Sequence, residues 1–257
     1  MVPHVIGQYP APAIAHRFGY ISEPEQPAVL QRRTLEDLIA RVPAQPAEEQ
    51  GFDPNRDVYG QVEVGADEDS IDPLAFLVGP VKVELDARAS GTRAVDLDRY
   101  IDRKAGIVRS MTGEIVLDYR KGICVVDTPG FQGAAAFFEV AGGFANTSDF
   151  RIRSQNEYAS VMAVSMDGLP LRRAERILVQ VGTVTRPRGW QEEPATFATE
   201  DEEGIDGFRV TNPGEAPWEP RVNRVSAELR NPGITEAVSL DPNGYPDGGV
   251  ALDRVGD

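Results

Sequence analysis

Histidine and cysteine are scarce in this chain of 257 residues, which contains two histidines and one cysteine. Cys124 has no partner for an internal disulfide, and its place in a strand-like run indicates a small buried side chain rather than a reactive thiol. His4 and His16 both lie near the N-terminus, and no Gly-x-Ser-x-Gly sequence is present, so we do not expect a hydrolytic triad. The spacing of these three residues suits no zinc site, and we predict no metal and no cofactor.

Long apolar runs are also missing. No stretch approaches the ~20 residues that span a bilayer, and the N-terminus lacks the basic and apolar regions of a signal peptide. The chain has 26 basic and 41 acidic residues, and the resulting net charge of −15 repels phosphate backbones and anionic headgroups. We therefore expect neither nucleic acid nor a membrane as partner. A low cysteine content is compatible with a soluble protein in a reducing compartment and equally with a protein exported as part of a longer chain, so the localisation stays open.

Turn-forming residues are abundant, with 25 glycines and 20 prolines, and this content favours β-structure with long connections. Short alternating segments separated by turns fill the central part of the chain. The predicted strands there are residues 107–109, 113–119, 123–127, 133–140, 150–154, 160–166 and 176–184. Residues 74–85 open the β region, and residues 221–229, 234–240 and a last short segment close it. Strands at this spacing predict a mainly β fold, an antiparallel β-sandwich.

The N-terminal region is different in character. Residues 1–30 are rich in proline and aromatics without clear periodicity, and we interpret them as an extended peptide that lies across another surface. Thr34 can cap a helix that begins with Leu35 and that Pro43 ends. Residues 43–72 form a loop that we expect to wrap over a neighbour. The predicted division is therefore an extended, partly helical lead and wrapping linker at 1–72, and a β-sandwich domain at 73–257.

Residues 191–208 contain seven acids and neither lysine nor arginine. We interpret this segment as an exposed loop rather than a binding element. Calcium ligation is a weaker alternative at the acidic runs 67–69 and 200–203, because neither has the regular loop of an EF-hand.

The sequence from Val125 to Gly130 matches the strand and Asp-x-x-Gly with which nucleotide hydrolases hold magnesium near the γ-phosphate. Such a site also needs a Gly-rich loop that ends in Gly-Lys-Ser/Thr, and the chain has none. We therefore favour a strand that ends in a proline turn, with Asp127 accepting backbone hydrogen bonds.

Carboxylate pairs perform glycoside hydrolysis, and Glu114, Asp118 and Asp127 lie on neighbouring predicted strands. With 41 acids in the chain such pairs are not specific, and carboxylates at these positions more often mark the solvent side of a sheet. We assign no catalytic residue.

Three aromatic residues, Trp190, Trp218 and Tyr245, lie in segments rich in proline and glycine. A flat exposed ring stacks well on a sugar, so these residues are the candidates for carbohydrate binding. The alternative, which we weigh more heavily, is that the rings form the hydrophobic plug at one end of a sandwich.

Four sequence segments, at residues 72–81, 109–115, 125–133 and 176–182, together resemble the region that follows the catalytic (β/α)8 barrel in large bacterial glycoside-hydrolase-like proteins. The resemblance implies a β-sandwich that packs on the barrel, with the catalytic carboxylates in the barrel. Residues 7–20 resemble the exit from that barrel. In the family pattern the turn after Asp-Thr-Pro usually carries an arginine, and Gly130-Phe131 departs from it here.

We therefore expect a non-catalytic accessory region of a carbohydrate-active protein, with a preceding catalytic domain or another protein as partner and polysaccharide as a further contact. One alternative is a glycoside hydrolase that acts through a carboxylate pair of its own. Another is a structural protein-interaction module whose N-terminal segment docks a partner.

Overall fold

The structure, a computed structural model, describes residues 9–40, 74–85, 88, 90–197, 204–241 and 243–254. Its helices are short: α1 (Pro10–Phe18), α2 (Leu35–Ala40), α3 (Ala75–Val78), α4 (Phe138–Ala141) and a 3-10 turn at Leu97–Arg99. The first strands are β1 (Val29–Arg32), β2 (Val81–Glu84), β3 (Gly91–Ala94), β4 (Ile101–Asp102), β5 (Ile107–Arg109), β6 (Ile115–Asp118) and β7 (Ile123–Asp127). The next are β8 (Phe131–Phe137), β9 (Phe144–Asn146), β10 (Phe150–Ser154), β11 (Tyr158–Ser165), β12 (Ile177–Thr183) and β13 (Thr185–Arg188). The last are β14 (Gln191–Phe197), β15 (Ile205–Asn212), β16 (Glu215–Pro220), β17 (Val225–Leu229), β18 (Ala237–Leu240) and β19 (Pro246–Val250).

The prediction of a mainly β fold with antiparallel sheets and a partly helical N-terminal lead is confirmed. All seven strands predicted between residues 107 and 184 are present; three have the predicted ends and the other four have ends shifted by one to three residues. The period-two alternation and the turn residues between the segments made these strands recognisable.

The described chain divides into two compact units, a smaller unit at Ile21–Val126 and a larger unit at Met1–Tyr20 and Asp127–Asp257. In the smaller unit β1 lies between β2, with which it is parallel, and β3, with which it is antiparallel. Strands β4 to β7 form an antiparallel meander. The core of the smaller unit includes Val29, Val78 and Val108, each at most 1% exposed.

The larger unit has a sandwich-like centre. Strand β11 lies between β8 and β12 in one antiparallel sheet, and β10 lies between β9 and β17 in another. Strand β10 contacts both β8 and β11. Alternate residues of β10 are buried, and its Phe150 and Ile152 are each 1% exposed, so its inward face supplies the core that the alternation predicts.

Gly133 sits where β8 and β11 approach closely. A Cβ at this position would overlap the carbonyl oxygen of Val161 and lie 2.6 Å from Sδ of Met162, its cross-strand partner. Glycine is therefore required for this pairing.

The first segment departs from the prediction, because residues 10–18 form helix α1 rather than an extended peptide. Pro10 begins the helix, where its missing N–H costs nothing, and Gly19 ends it in the left-handed region at φ 63°. Ala11 and Ala15 are buried at 0% and 1% exposure, and the helix packs on β11 and β12.

The prediction of a loop at residues 191–208 is wrong, since β14 and β15 pair as an antiparallel hairpin. Polar cross-strand contacts contribute to it: Thr196 donates to Asp206 at 2.7 Å, and Arg209 pairs with Glu193 at 3.9 Å. The two-stranded sheets β13–β16 and β18–β19 also belong to the larger unit.

Residues 74–85 begin with helix α3 before strand β2, and the alternation there marks a face of which only Val81 packs against the core. Val83 and Leu85 are 47% and 60% exposed. The linker at 43–72 and the boundary at 72/73 lie outside the described residues, so the predicted domain division stays a prediction.

Candidate functional site

The Asp-Thr-Pro-Gly sequence forms a closed turn between β7 and β8. The Thr128 hydroxyl donates to the carbonyl of Phe131 and accepts the Phe131 N–H, both at 3.0 Å. Backbone N–H groups of Ser165 and Leu171 donate to the carbonyls of Gly130 and Pro129, at 2.9 and 2.7 Å. The turn is thus fixed on both sides.

The ring of Tyr20 lies against Gly130 in this turn. A Cβ on Gly130 would come within 2.7 Å of Cζ of this ring. The Tyr20 hydroxyl donates to the carbonyl of Ser165 at 3.1 Å, and its ring stacks on Phe18 with centroids 5.4 Å apart. No side chain longer than hydrogen fits at position 130 unless Tyr20 moves.

Asp127 accepts hydrogen bonds through Oδ2 from the backbone N–H and the hydroxyl of Ser148, at 3.0 and 2.9 Å. The interpretation of Asp127 as an acceptor of backbone hydrogen bonds at the end of a strand is confirmed. The donor lies 21 residues away, so the bond ties the strand end to the segment between β9 and β10.

A buried polar cluster lies beside this turn and was not predicted. Gln132, fully buried, donates to the carbonyl of Thr128 at 3.0 Å and accepts from Thr147 and from the N–H of Asp149, at 2.7 and 2.8 Å. The Asp149 carboxylate, 5% exposed, receives Nη2 and Nε of Arg172 at 2.8 and 3.3 Å. A buried charge needs such a partner.

Above this cluster lies a cavity of about 350 Å³, lined by Asp127, Ser148, Asp149, Arg172 and Arg173 together with threonine, glutamine and two prolines. Two carboxylates and two guanidinium groups therefore meet in one depression. The sequence offered a weak signal for it, two consecutive arginines in a loop that follows Pro170, but nothing marked Asp149 as buried.

Two other candidate carboxylates, Glu114 and Asp118, accept hydrogen bonds from backbone N–H groups in the smaller unit. Glu114 accepts the N–H and the hydroxyl of Ser22, at 2.8 and 2.7 Å. Asp118 accepts the N–H of Lys121 at 3.0 Å in the turn between β6 and β7. This bond, opposed by partial desolvation and aided by the Lys121 side chain, lowers the pKa of Asp118. Both side chains serve local structure.

Trp190 is half-buried in the connection between β13 and β14. Its Nε1–H donates to Glu192 at 2.8 Å, and the guanidinium of Arg186 lies 5.0 Å from the centre of its ring. One face of this ring and its polar edge are therefore occupied within the protein.

Trp218 and Tyr245 are more open. Trp218 lies in β16 opposite Pro187 and is 40% exposed. Tyr245 lies in the turn before β19 and is 69% exposed. Trp190 and Trp218 both adjoin β13, since the Trp190 N–H donates to the carbonyl of Pro187 at 3.1 Å and Trp218 pairs with the same residue. Tyr245 lies apart from them, beside the pair β18–β19.

The remaining candidates are few. Cys124 is half-buried, and desolvation raises the pKa of its thiol, as expected for a packing residue. His16 is exposed in the last turn of α1. His4 and the acidic runs at 67–69 and 200–203 lie outside the described residues.

Metal-binding clusters and membrane-spanning helices are not found in the part of the chain that the structure describes. No three histidine, cysteine or acidic residues there come together as ligands for an ion. None of the described helices has the length and apolar character required to cross a bilayer.

Comparison of the chain with protein-family models, curated proteins and solved structures found no match.

Proposed function

We propose that this chain is a non-catalytic accessory region of a carbohydrate-active protein, and that it supports a catalytic domain that precedes it. The observation that carries the proposal is the attachment of α1. This helix lies in the segment that resembles a barrel exit, and it is fixed to β11 and β12 by two buried alanines. The side chain of Gln180 accepts the N–H of Ala11 at 3.0 Å.

Such an anchored lead would hold a preceding domain in a defined place. Gly19 turns the chain sharply, and the Tyr20 hydrogen bond to Ser165 fixes the next residue on the same unit. A flexible linker would lack these contacts.

The use of the carboxylates supports a non-catalytic role. Glu114, Asp118 and Asp127 each accept a backbone N–H. Asp149 shares a cavity with Asp127, but both of its oxygens are occupied by Arg172, which leaves neither free to exchange a proton with a glycosidic oxygen. Glycoside hydrolysis through a carboxylate pair needs two available carboxyl groups, and this cavity offers one, Asp127 through its Oδ1.

Carbohydrate contact in this proposal falls mainly to Trp218 and Tyr245, which are 40% and 69% exposed. Trp190 contributes less, since Arg186 covers its ring. Affinity electrophoresis of the full chain in gels that contain neutral polysaccharides tests this division. We expect Trp218→Ala or Tyr245→Ala to lose retardation and Trp190→Ala to keep it. Equal migration of the unmodified chain with and without every polysaccharide would remove carbohydrate contact from the proposal.

A protein-interaction module is the second candidate, and one observation favours it. Helix α2 leaves Leu35, Leu38 and Ile39 exposed at 64%, 46% and 75%. The variant Ile39→Lys would then weaken self-association or capture of a partner domain while the thermal midpoint stays unchanged.

A further inference from the structure

The cavity beside the Asp-Thr-Pro turn contains polar groups that the fold does not use. Arg172 is committed to Asp149, and Oδ2 of Asp127 is committed to Ser148. Among the described residues, no carboxylate lies within ion-pair distance of Arg173, and Oδ1 of Asp127 accepts no hydrogen bond. The cavity thus offers a guanidinium with five donors and a carboxylate oxygen that can accept.

The segment that carries the two arginines is held rigidly. Leu171 and Ala174, on either side of them, are 0% and 2% exposed. The side-chain amide of Asn231 donates to both of their carbonyls, at 2.7 and 2.8 Å. The N–H of Arg173 also donates to the carbonyl of Pro170 at 2.8 Å. A backbone fixed in this way reduces the entropy that a ligand must overcome.

Two buried polar residues, Gln132 and Asp149, line the cavity. Gln132 accepts the N–H of Asp149 at 2.8 Å and donates to its carboxylate at 3.4 Å, and the same carboxylate pairs with Arg172. Asp149 balances the charge of Arg172, while Asp127 and Arg173, which carry opposite charges, also line the cavity. A ligand that complements both needs an anionic group and a hydroxyl donor in one small molecule.

We propose that this cavity binds a carboxylate-bearing sugar, a uronate, with its carboxylate on Arg173 and a ring hydroxyl donating to Oδ1 of Asp127. Arginine binds carboxylates through two parallel hydrogen bonds. The volume of about 350 Å³ lies at the lower end of small-ligand sites. The choice of a sugar acid rests on the proposed function, whereas the anion site itself rests on these residues alone.

Charge favours a single carboxylate over a phosphate. One guanidinium without a partner balances one negative charge, and a doubly charged phosphate would add repulsion from Asp127 in a protein with a net charge of −15. For the same reason the natural ligand would be a uronate within a mostly neutral polysaccharide.

NMR titration of the full ¹⁵N-labelled chain with glucuronate, galacturonate, glucose, galactose and inorganic phosphate tests the proposal. We expect either uronate to shift the amide signals of Ser148 and Arg173 saturably, while glucose, galactose and phosphate leave them unchanged. Arg173→Gln should weaken uronate binding at least about tenfold, and Arg173→Lys should weaken it less. Arg176→Gln removes the same charge three residues away, outside the cavity, and should leave the affinity unchanged.

Thermal melts identify a variant that fails to fold, and Arg173→Lys then carries the test. No saturable shift with either uronate, or equal weakening by Arg173→Gln and Arg176→Gln, would overturn the proposal. Phosphate binding as tight as uronate binding would replace it with a general anion site. Retardation of the chain by neutral polysaccharides depends on Trp218 and not on the cavity. The proposed carbohydrate contact and the proposed uronate site can therefore fail independently.

Discussion

The ring of Tyr20 packs directly against Gly130 in the turn next to the cavity. Because a Cβ on Gly130 would overlap the Tyr20 ring, we expect Gly130→Ala to lower the free energy of unfolding by about 1–3 kcal/mol. In a Tyr20→Ala background the same change should cost much less, since the obstructing ring is gone. Denaturant melts of the four proteins measure this coupling. Additive effects would mean that the ring does not occupy this space.

Asp167 organises the connection from β11 to β12. Its carboxylate accepts from Ser165 at 2.8 Å and from the N–H groups of Glu175 and Arg176, at 2.7 and 3.2 Å. Desolvation raises its pKa, but these bonds together with one from the Leu169 N–H outweigh it, so the pKa of Asp167 is lowered.

A lowered pKa in the folded state means that ionised Asp167 stabilises the fold above the unfolded value of about 4 and that this contribution is lost as the pH falls through the folded value. We expect Asp167→Asn to reduce the loss of thermal stability between about pH 5 and pH 2. Melts across this range measure it, with Asp247→Asn, an exposed residue of β19, as the control. Parallel pH profiles for the native chain and Asp167→Asn would contradict the assignment.

At the residue scale, the sequence predicted those side-chain roles that depend on the neighbouring residues in the chain. The role of Asp127 followed from a strand that runs into a proline turn. The partners of Gly130 and Asp149 could not be predicted, because Tyr20 and Arg172 are distant in sequence and only the tertiary fold brings them close.

Helix α1 is the element on which the supporting role depends. Ala15 is 1% exposed and Ala13 faces solvent on the same helix. We expect Ala15→Leu to loosen α1 from β11 and β12, because the site has no room for three more carbons, and Ala13→Leu to leave it in place.

Hydrogen exchange of residues 10–18 measures this loosening. Faster exchange in Ala15→Leu alone is the expected result. Slow exchange in both variants, or fast exchange in the unmodified chain, would mean that the lead is not anchored as described.

Two elements escaped prediction for physical reasons. Helix α1 has proline as its first and third residues, and the second proline obscured the proline start and glycine end that mark a helix. Hairpin β14–β15 has little apolar alternation, because its residues are mostly exposed and polar cross-strand pairs contribute to its pairing.

At the scale of the molecule, the alternation of apolar residues predicted the fold class, because burial on one face of a sheet imposes that pattern. The two compact units were not predicted. The larger one joins residues before position 21 to residues after position 126, and a local pattern does not reveal such a joining.

An assay of new reducing ends, with the purified chain and a panel of neutral and uronate-containing polysaccharides, measures whether bond cleavage resides in these residues. We expect no product above the rate without protein, while binding to at least one polysaccharide persists. Glycan cleavage by the unmodified chain that is lost in Asp127→Asn would contradict the proposed accessory role and give the catalytic function to the cavity.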